Sequence, residues 1–188
     1  MAHELSTSEV SGLIEAAYVG EKSGTWHRLG QYIDPSDATV DRMISESGMG
    51  WGILNSPVQY AVDGTIRQDA GNVVQYRSDT GAPLGVVGAG FNSTQPSDGF
   101  QVMEQIRQEI GAEWDAAFSL FGGRKLCFQL KLNEQAIEIV KGDPHSAYIT
   151  LAYACDGSLP RSIWFSSIRA VCDNMLSFSY SKAQKDKL

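Results

Sequence analysis

The sequence has too few cysteines, and spaces them too widely, for a disulfide framework or a zinc site. Cys127, Cys155 and Cys172 are an odd set without close-pair spacing, and each lies in an apolar stretch. That pattern predicts buried free thiols in a reducing compartment. The histidines are equally sparse. His3, His27 and His145 stand far apart, none with a second ligand at helical spacing, so no metal and no other cofactor is expected. No apolar run approaches the roughly 20 residues that span a bilayer, and the polar start Met1-Ala2-His3-Glu4-Leu5-Ser6 lacks a signal-peptide pattern. The expected location is the cytoplasm, away from membranes. Basic charge is also short: the net charge is −7. Any nucleic-acid site must then be a local basic patch on an acidic body.

What is present suffices for a packed core. Hydrophobic residues make up 43% of the 188, which excludes wholesale disorder and suits one domain over 1–188, with a polar, frayed tail at 181–188. Leu13, Ile14, Ala17 and Tyr18 follow a helical spacing that Gly20 closes. The stretch Gly24-Thr25-Trp26-His27-Arg28-Leu29-Gly30 reads as an ordered loop that packs Trp26 on the core. Its His27 suits a structural hydrogen bond to backbone better than catalysis. Asp34-Pro35-Ser36-Asp37 opens a helix that runs through Val40, Met43 and Ile44 and stops at Gly48.

From Trp51 to Gly90 the period shifts toward two. Short strands are expected at 52–55, 58–62, 72–77 and 83–87, with turns at Asp63-Gly64 and Asp79-Thr80-Gly81-Ala82, giving an antiparallel meander. Pro96-Ser97-Asp98 starts a helix with Phe100, Met103, Ile106 and Ile110 inward, ended by Gly111. Ala116 to Leu132 is a hairpin about Gly122-Gly123. Leu126, Phe128, Leu130 and Leu132 mark its buried face; Lys125, Cys127, Gln129 and Lys131 mark a wet or half-covered one. A last hairpin turns at Asp156-Gly157-Ser158, with a central strand from Ala147 to Cys155 and a return strand from Ser162 to Val171. A final helix over 172–185 directs Met175, Leu176 and Phe178 inward. The predicted class is α+β: an antiparallel β-sheet built from hairpins, covered by three or four helices.

Several segments carry a resemblance. They are Ala2-His3-Glu4-Leu5, Trp26-His27-Arg28-Leu29-Gly30, Tyr76-Arg77-Ser78-Asp79-Thr80-Gly81 with Leu84-Gly85-Val86-Val87-Gly88, Leu120-Phe121-Gly122-Gly123-Arg124, Asp156-Gly157-Ser158, and Ile168-Arg169-Ala170-Val171-Cys172-Asp173-Asn174-Met175-Leu176. In that order and spacing, over almost the whole chain, the sequence resembles the phage- and plasmid-borne family with domain of unknown function 932. Members often continue well past the last segment, so the resemblance implies a shorter variant or a truncated chain. Met175 stands where the family commonly has threonine. The resemblance implies a mobile-element origin and no particular activity. More remotely, hairpins backed by helices are similar to the single-strand annealing superfamily of Red-beta and RecT proteins, a likeness of fold alone.

No catalytic constellation stands out. Cys172 has no adjacent histidine and reads as a buried thiol. Gly85-Val86-Val87-Gly88-Ala89-Gly90 lacks the lysine and spacing of a phosphate loop and suits bulges or close packing. The expectation is therefore a protein that is not an enzyme. Its expected activity is sequence-independent binding of single-stranded DNA, as a homo-oligomeric ring or filament that promotes annealing and recombination of phage DNA in the host cytoplasm. The candidate nucleic-acid contacts are Arg77, Arg124, Lys125, Lys131, Arg161 and Arg169, lining one groove if the hairpins lie side by side, with Trp164 or Phe121 stacking on bases. Taken singly, each cation fits equally an ordinary solvated charge or the partner of a nearby acid. The alternative function is a phage counter-defence protein that binds and inhibits a host protein, which the acidic balance suits.

Overall fold

A computed structural model describes residues 4–133 and 147–185. His3, His145 and the tail residues 186–188 lie outside the described residues.

The centre is a six-stranded sheet in the order β2-β1-β6-β7-β8-β9. Its strands are β1 (Ala16–Val19), β2 (Gln31–Ile33), β6 (Glu113–Leu120), β7 (Lys125–Lys131), β8 (Tyr148–Ala154) and β9 (Ser162–Ser166). All neighbours are antiparallel except β1 and β2, which run parallel. A separate three-stranded meander joins β3 (Ile53–Val62), β4 (Thr65–Arg77) and β5 (Pro83–Gly88). The helices among the described residues are α1 (Val40–Ser47), α2 (Pro96–Ile110) and α3 (Asp173–Lys185). The α+β class, the hairpins and the covering helices agree with the sequence reading; the second sheet and the parallel pair are additions.

Both faces of the large sheet are buried over its central strands, β1, β6, β7 and β8, while the edge strand β9 leaves Ile163 and Phe165 exposed. On one face, α1 and α2 bring Met43, Phe100 and Met103 onto Ala117, Trp114, Phe128, Leu130 and Leu151. The Phe100 and Phe128 rings meet edge to face at 4.8 Å, a favourable aromatic geometry. On the other, α3 and the segment before it bring Val171 and Leu176 onto Tyr18, Phe118, Cys127 and Trp164. The β7 face expected to be wet or half-covered is covered at Cys127 and Gln129. Gln129 is fully buried there and fully satisfied: its Nε2 donates to Thr150 Oγ1 at 2.7 Å, and its Oε1 accepts from Ala170 N at 2.9 Å. Polar alternation marks this face because the returning chain supplies hydrogen-bond partners in place of water.

Four local expectations change. Residues 13–18 do not form a helix. Ala16–Val19 is a strand, because Ala17 joins the α1–α2 side and Ala16 and Tyr18 the α3 side, a period of two that tertiary pairing enforces on a short apolar run. Trp26 is 54% exposed and does not pack on the core. Phe178 is 64% exposed on the outer side of α3, whereas Leu176 is buried. The helix expected after Asp34 divides into a 3-10 turn at Pro35–Asp37 and α1, which is capped by Thr39 and ends at left-handed Gly48.

The cysteines are free and buried. Burial pushes the Cys127 thiol well above its ordinary range and the Cys155 thiol up to about 12. Both stay protonated and shielded at neutral pH. A disulfide-exchange reagent at pH 8 is expected to leave Cys127 and Cys155 unmodified in the native protein and to reach them within minutes in denaturant. Fast native labelling of either, mapped by mass spectrometry, would contradict the packing.

Candidate functional site

The structure disperses the expected groove. Arg77 lies at the end of β4 and is 3% exposed. Its Nη2 and Nη1 donate to the Glu15 carboxylate at 2.6 and 3.0 Å. Its Nε and Nη2 donate to Asp79 at 2.9 and 2.7 Å. Ser119 Oγ donates to Glu15 as well, and the guanidinium sits 4.3 Å from the Trp51 ring centroid. Arg77 is thus a buried cross-tie between β1, β3 and β4, with no face for a phosphate.

Lys125 donates to Asp173 at 2.6 Å, across to α3. Arg169 pairs with Asp115 at 2.9 Å and donates to the Gly24 and Val19 carbonyls at 3.1 Å each. Asp115 sits at a β-bulge in β6. Burial raises its carboxyl against the pull of Arg169, so the pair is a structural clamp. Trp164 is 5% exposed and donates Nε1–H to Ser179; it cannot stack on a base. The spacing that suggested a shared groove is the spacing of residues reaching inward to hold α3 and the loops.

Lys131, Arg124 and Arg161 are exposed. Lys131 stands at the opposite end of β7 from Lys125, roughly 20 Å away at about 3.4 Å per residue. Arg124 and Arg161 share one end of the sheet. The Arg124 carbonyl accepts from Cys155 N at 2.7 Å, and Arg161 lines the cleft beside the same β8–β9 turn.

At this end, and on the long hairpin that leaves it, exposed arginines stand beside exposed aromatic rings. Arg124 and Phe121 share the β6–β7 turn, where Lys125 Nζ stands 5.2 Å from the Phe121 ring centroid. Arg161 and Phe91 line one cleft of about 450 Å³, together with Asn92, Ser93 and Thr94. Arg67 lies directly across from Tyr60 in the β3–β4 ladder. None of these arginines has a carboxylate partner among the described residues. Arg67, Tyr60 and Phe91 were not anticipated. The signal was available for the first two: after the Asp63-Gly64 turn, Thr65-Ile66-Arg67-Gln68 continues the strand.

The segments that carried the resemblance have structural work here. His27 Nδ1 accepts from Leu29 N, so Nε2 carries the proton and donates to Val171 O at 3.0 Å. This is the backbone role expected of it. Gly123 has positive φ and lies where a Cβ would fall 2.9 Å from the Trp51 ring. Gly85 lies where a Cβ would fall 2.7 Å from Asp156. A second cleft, of about 470 Å³, runs beside the Arg77 node past Ser8, Ser45, Glu46 and Ser78, but Glu15 and Asp79 in its wall are already held by Arg77. Among the described residues no group of His, Cys, Asp and Glu could hold a metal ion, and no helix is long and apolar enough to cross a membrane.

The fold and this surface define a helix-covered, hairpin-built α+β protein with arginine–aromatic pairs at one end. The chain belongs to the family described as domain of unknown function (DUF932), which matches residues 83–187. The match is shorter than the resemblance suggested: Ala2–Leu5, Trp26–Gly30 and Tyr76–Gly81 fall outside it. No curated protein and no solved structure matches the chain.

Proposed function

We propose that this protein acts by binding rather than turnover, and that its ligand is single-stranded DNA held without sequence preference, as in annealing-type recombination. The supporting observation is the set of exposed arginine–aromatic pairs: Arg124 with Phe121, Arg161 with Phe91 and Arg67 with Tyr60. A flexible strand is bound by cations that meet its phosphates and rings that meet its bases, and every base offers a face to stack on. Arg77, Trp164 and Arg169 have no part in this reading, Lys125 stands 5.2 Å from the Phe121 ring centroid while bound to Asp173, and Lys131 lies too far along β7 to share the surface. The likeness to the Red-beta and RecT superfamily belongs to the same proposal and rests on hairpins backed by helices.

The test is fluorescence anisotropy of a labelled single-stranded oligonucleotide at two salt concentrations. Binding is expected at low salt and to weaken steeply as salt rises. Each phosphate contact contributes a log–log slope of about −0.7. Arg124→Ala and Arg161→Ala should each flatten that slope by about that amount, while Lys131→Ala leaves it unchanged. Absence of binding by the wild-type chain at low salt refutes the proposal.

The net charge of −7 favours a second reading, a counter-defence protein that engages a basic surface on a host protein. It is supported if oligonucleotide binding is absent and one host protein is retained at a fixed molar ratio.

A further inference from the structure

We propose that the outer edge of β3 pairs antiparallel with β3 of a second copy, making one continuous sheet across a twofold axis near Tyr60.

The hairpin extends well past its support. Strand β5 pairs with β4 only over Asn72–Tyr76, so Val58–Val62 and Thr65–Asp69 form a two-stranded arm. Its turn, Asp63-Gly64, has positive φ at both residues, the type I′ geometry that matches strand twist. Beyond the bulge at Pro57/Val58, nearly all of the arm is exposed. An isolated two-stranded ribbon is marginal in water, and a free edge is a template for another strand.

The backbone indicates which groups are free. Alternate residues of an edge strand turn their N–H and C=O outward. Ile53 is one of these, because its N–H and C=O are taken by the Gln95 side-chain amide at 2.7 and 3.2 Å. Alternation then turns Asn55, Pro57, Gln59 and Ala61 outward. A two-residue turn gives the same parity, since Val62 and Thr65 must close the inner ladder. The edge is closed at Ile53 by Gln95 and lacks a donor at Pro57. Among the described residues nothing pairs with the outward N–H and C=O of Gln59 and Ala61 at its outer end.

The composition selects a second copy as occupant. A twofold contact sets each side chain near its own equivalent, so charges on such a strand oppose like charges. Strand β3, Ile53-Leu54-Asn55-Ser56-Pro57-Val58-Gln59-Tyr60-Ala61-Val62, has no charged residue in a chain of net charge −7. The other edge of the arm carries Arg67 and Asp69 and is guarded against pairing. With Gln59 bonded to Ala61 of the second copy and the reverse, Tyr60 faces its own equivalent. Val58 then faces Val62, forming an apolar row with Arg67 on each flank. The contact is isologous and closes at two copies; a ring or filament needs another contact.

The experiment is sedimentation of the full chain over a concentration series without nucleic acid, so its outcome is independent of the DNA reading. The expected result is a reversible species at twice 20.5 kDa. Ala61→Pro, which removes an outward N–H from an exposed residue, should weaken association by at least tenfold with an unchanged unfolding midpoint. Tyr60→Lys and Tyr60→Glu should each be monomeric alone and form a mixed dimer when combined, a result that loss of folding cannot produce. A wild-type monomer at every concentration overturns the proposal. So does a dimer indifferent to Ala61→Pro, or a Lys/Glu mixture that stays monomeric.

Discussion

Replacing Arg77 with methionine is expected to destabilise the protein by about 3–5 kcal/mol, the usual cost of leaving a buried charge without its partner. Glu15 is 1% exposed and would keep only the Ser119 hydroxyl. Trp51 would lose the cation over its ring, and Asp79 its partner. The loss should appear as a lower urea midpoint with unchanged slope. A double variant, Glu15→Gln with Arg77→Met, removes the buried anion and should recover part of the loss. Acid sensitivity should change with it. Hydrogen bonds from Arg77 hold the Asp79 carboxyl below its ordinary value. That contribution is complete above the unfolded carboxylate pKa near 4 and is lost as pH falls through the lowered folded value. Without Arg77, the share of acid unfolding due to Asp79 shrinks to what the backbone N–H groups of Asp79 and Thr80 still supply. A wild-type-like midpoint in Arg77→Met would show that the node carries little stability.

Gly99→Ala is the second large effect, and its sign separates two principles. Gly99 lies in α2, where helix propensity alone favours alanine by about 1 kcal/mol. Packing opposes it: a Cβ at Gly99 would stand 2.5 Å from Phe128 Cε2 and Cζ and 3.0 Å from Tyr153 Oη. Both rings are buried, and Phe128 is wedged between Phe100 and Tyr153. Relief requires α2 to lift from β7, so net destabilisation of about 1–3 kcal/mol is expected, as for other overpacked cores. Thermal unfolding measures it. A raised midpoint would mean that the helix can shift at little cost.

Much of the fold was legible because its signals are local. The α2 helix has proline in its first turn, an apolar stripe and a closing glycine. The β6–β7 hairpin has Gly122-Gly123 and clean alternation. Residues 16–19 were misread because four apolar residues fit either period, and only β2 and β6 decide between them. The site was legible in kind and misplaced in position. An arginine that salt-bridges inward and one that faces water look alike in sequence. The inward pairing of Arg77 and Arg169 is set by Glu15 and Asp115, which lie 62 and 54 residues away along the chain; Asp79, two residues from Arg77, is the one partner near in sequence. Of the long β4 only residues 72–77 read as strand, with residues 65–71 unassigned; Gly71 and Asn72 are where its regular pairing is interrupted. They belong to a bulge in which the Asp69 carboxylate accepts from both.

Gln95 joins parts that the layer description separates. Its side-chain amide holds the root of the hairpin at Ile53, its own N–H is held by Asp98 at the start of α2, and its carbonyl accepts from Tyr153 in β8. A force applied at the hairpin tip therefore reaches the helix start and the central strand through one residue. The projecting lever and the body to which it is hinged share a common fulcrum.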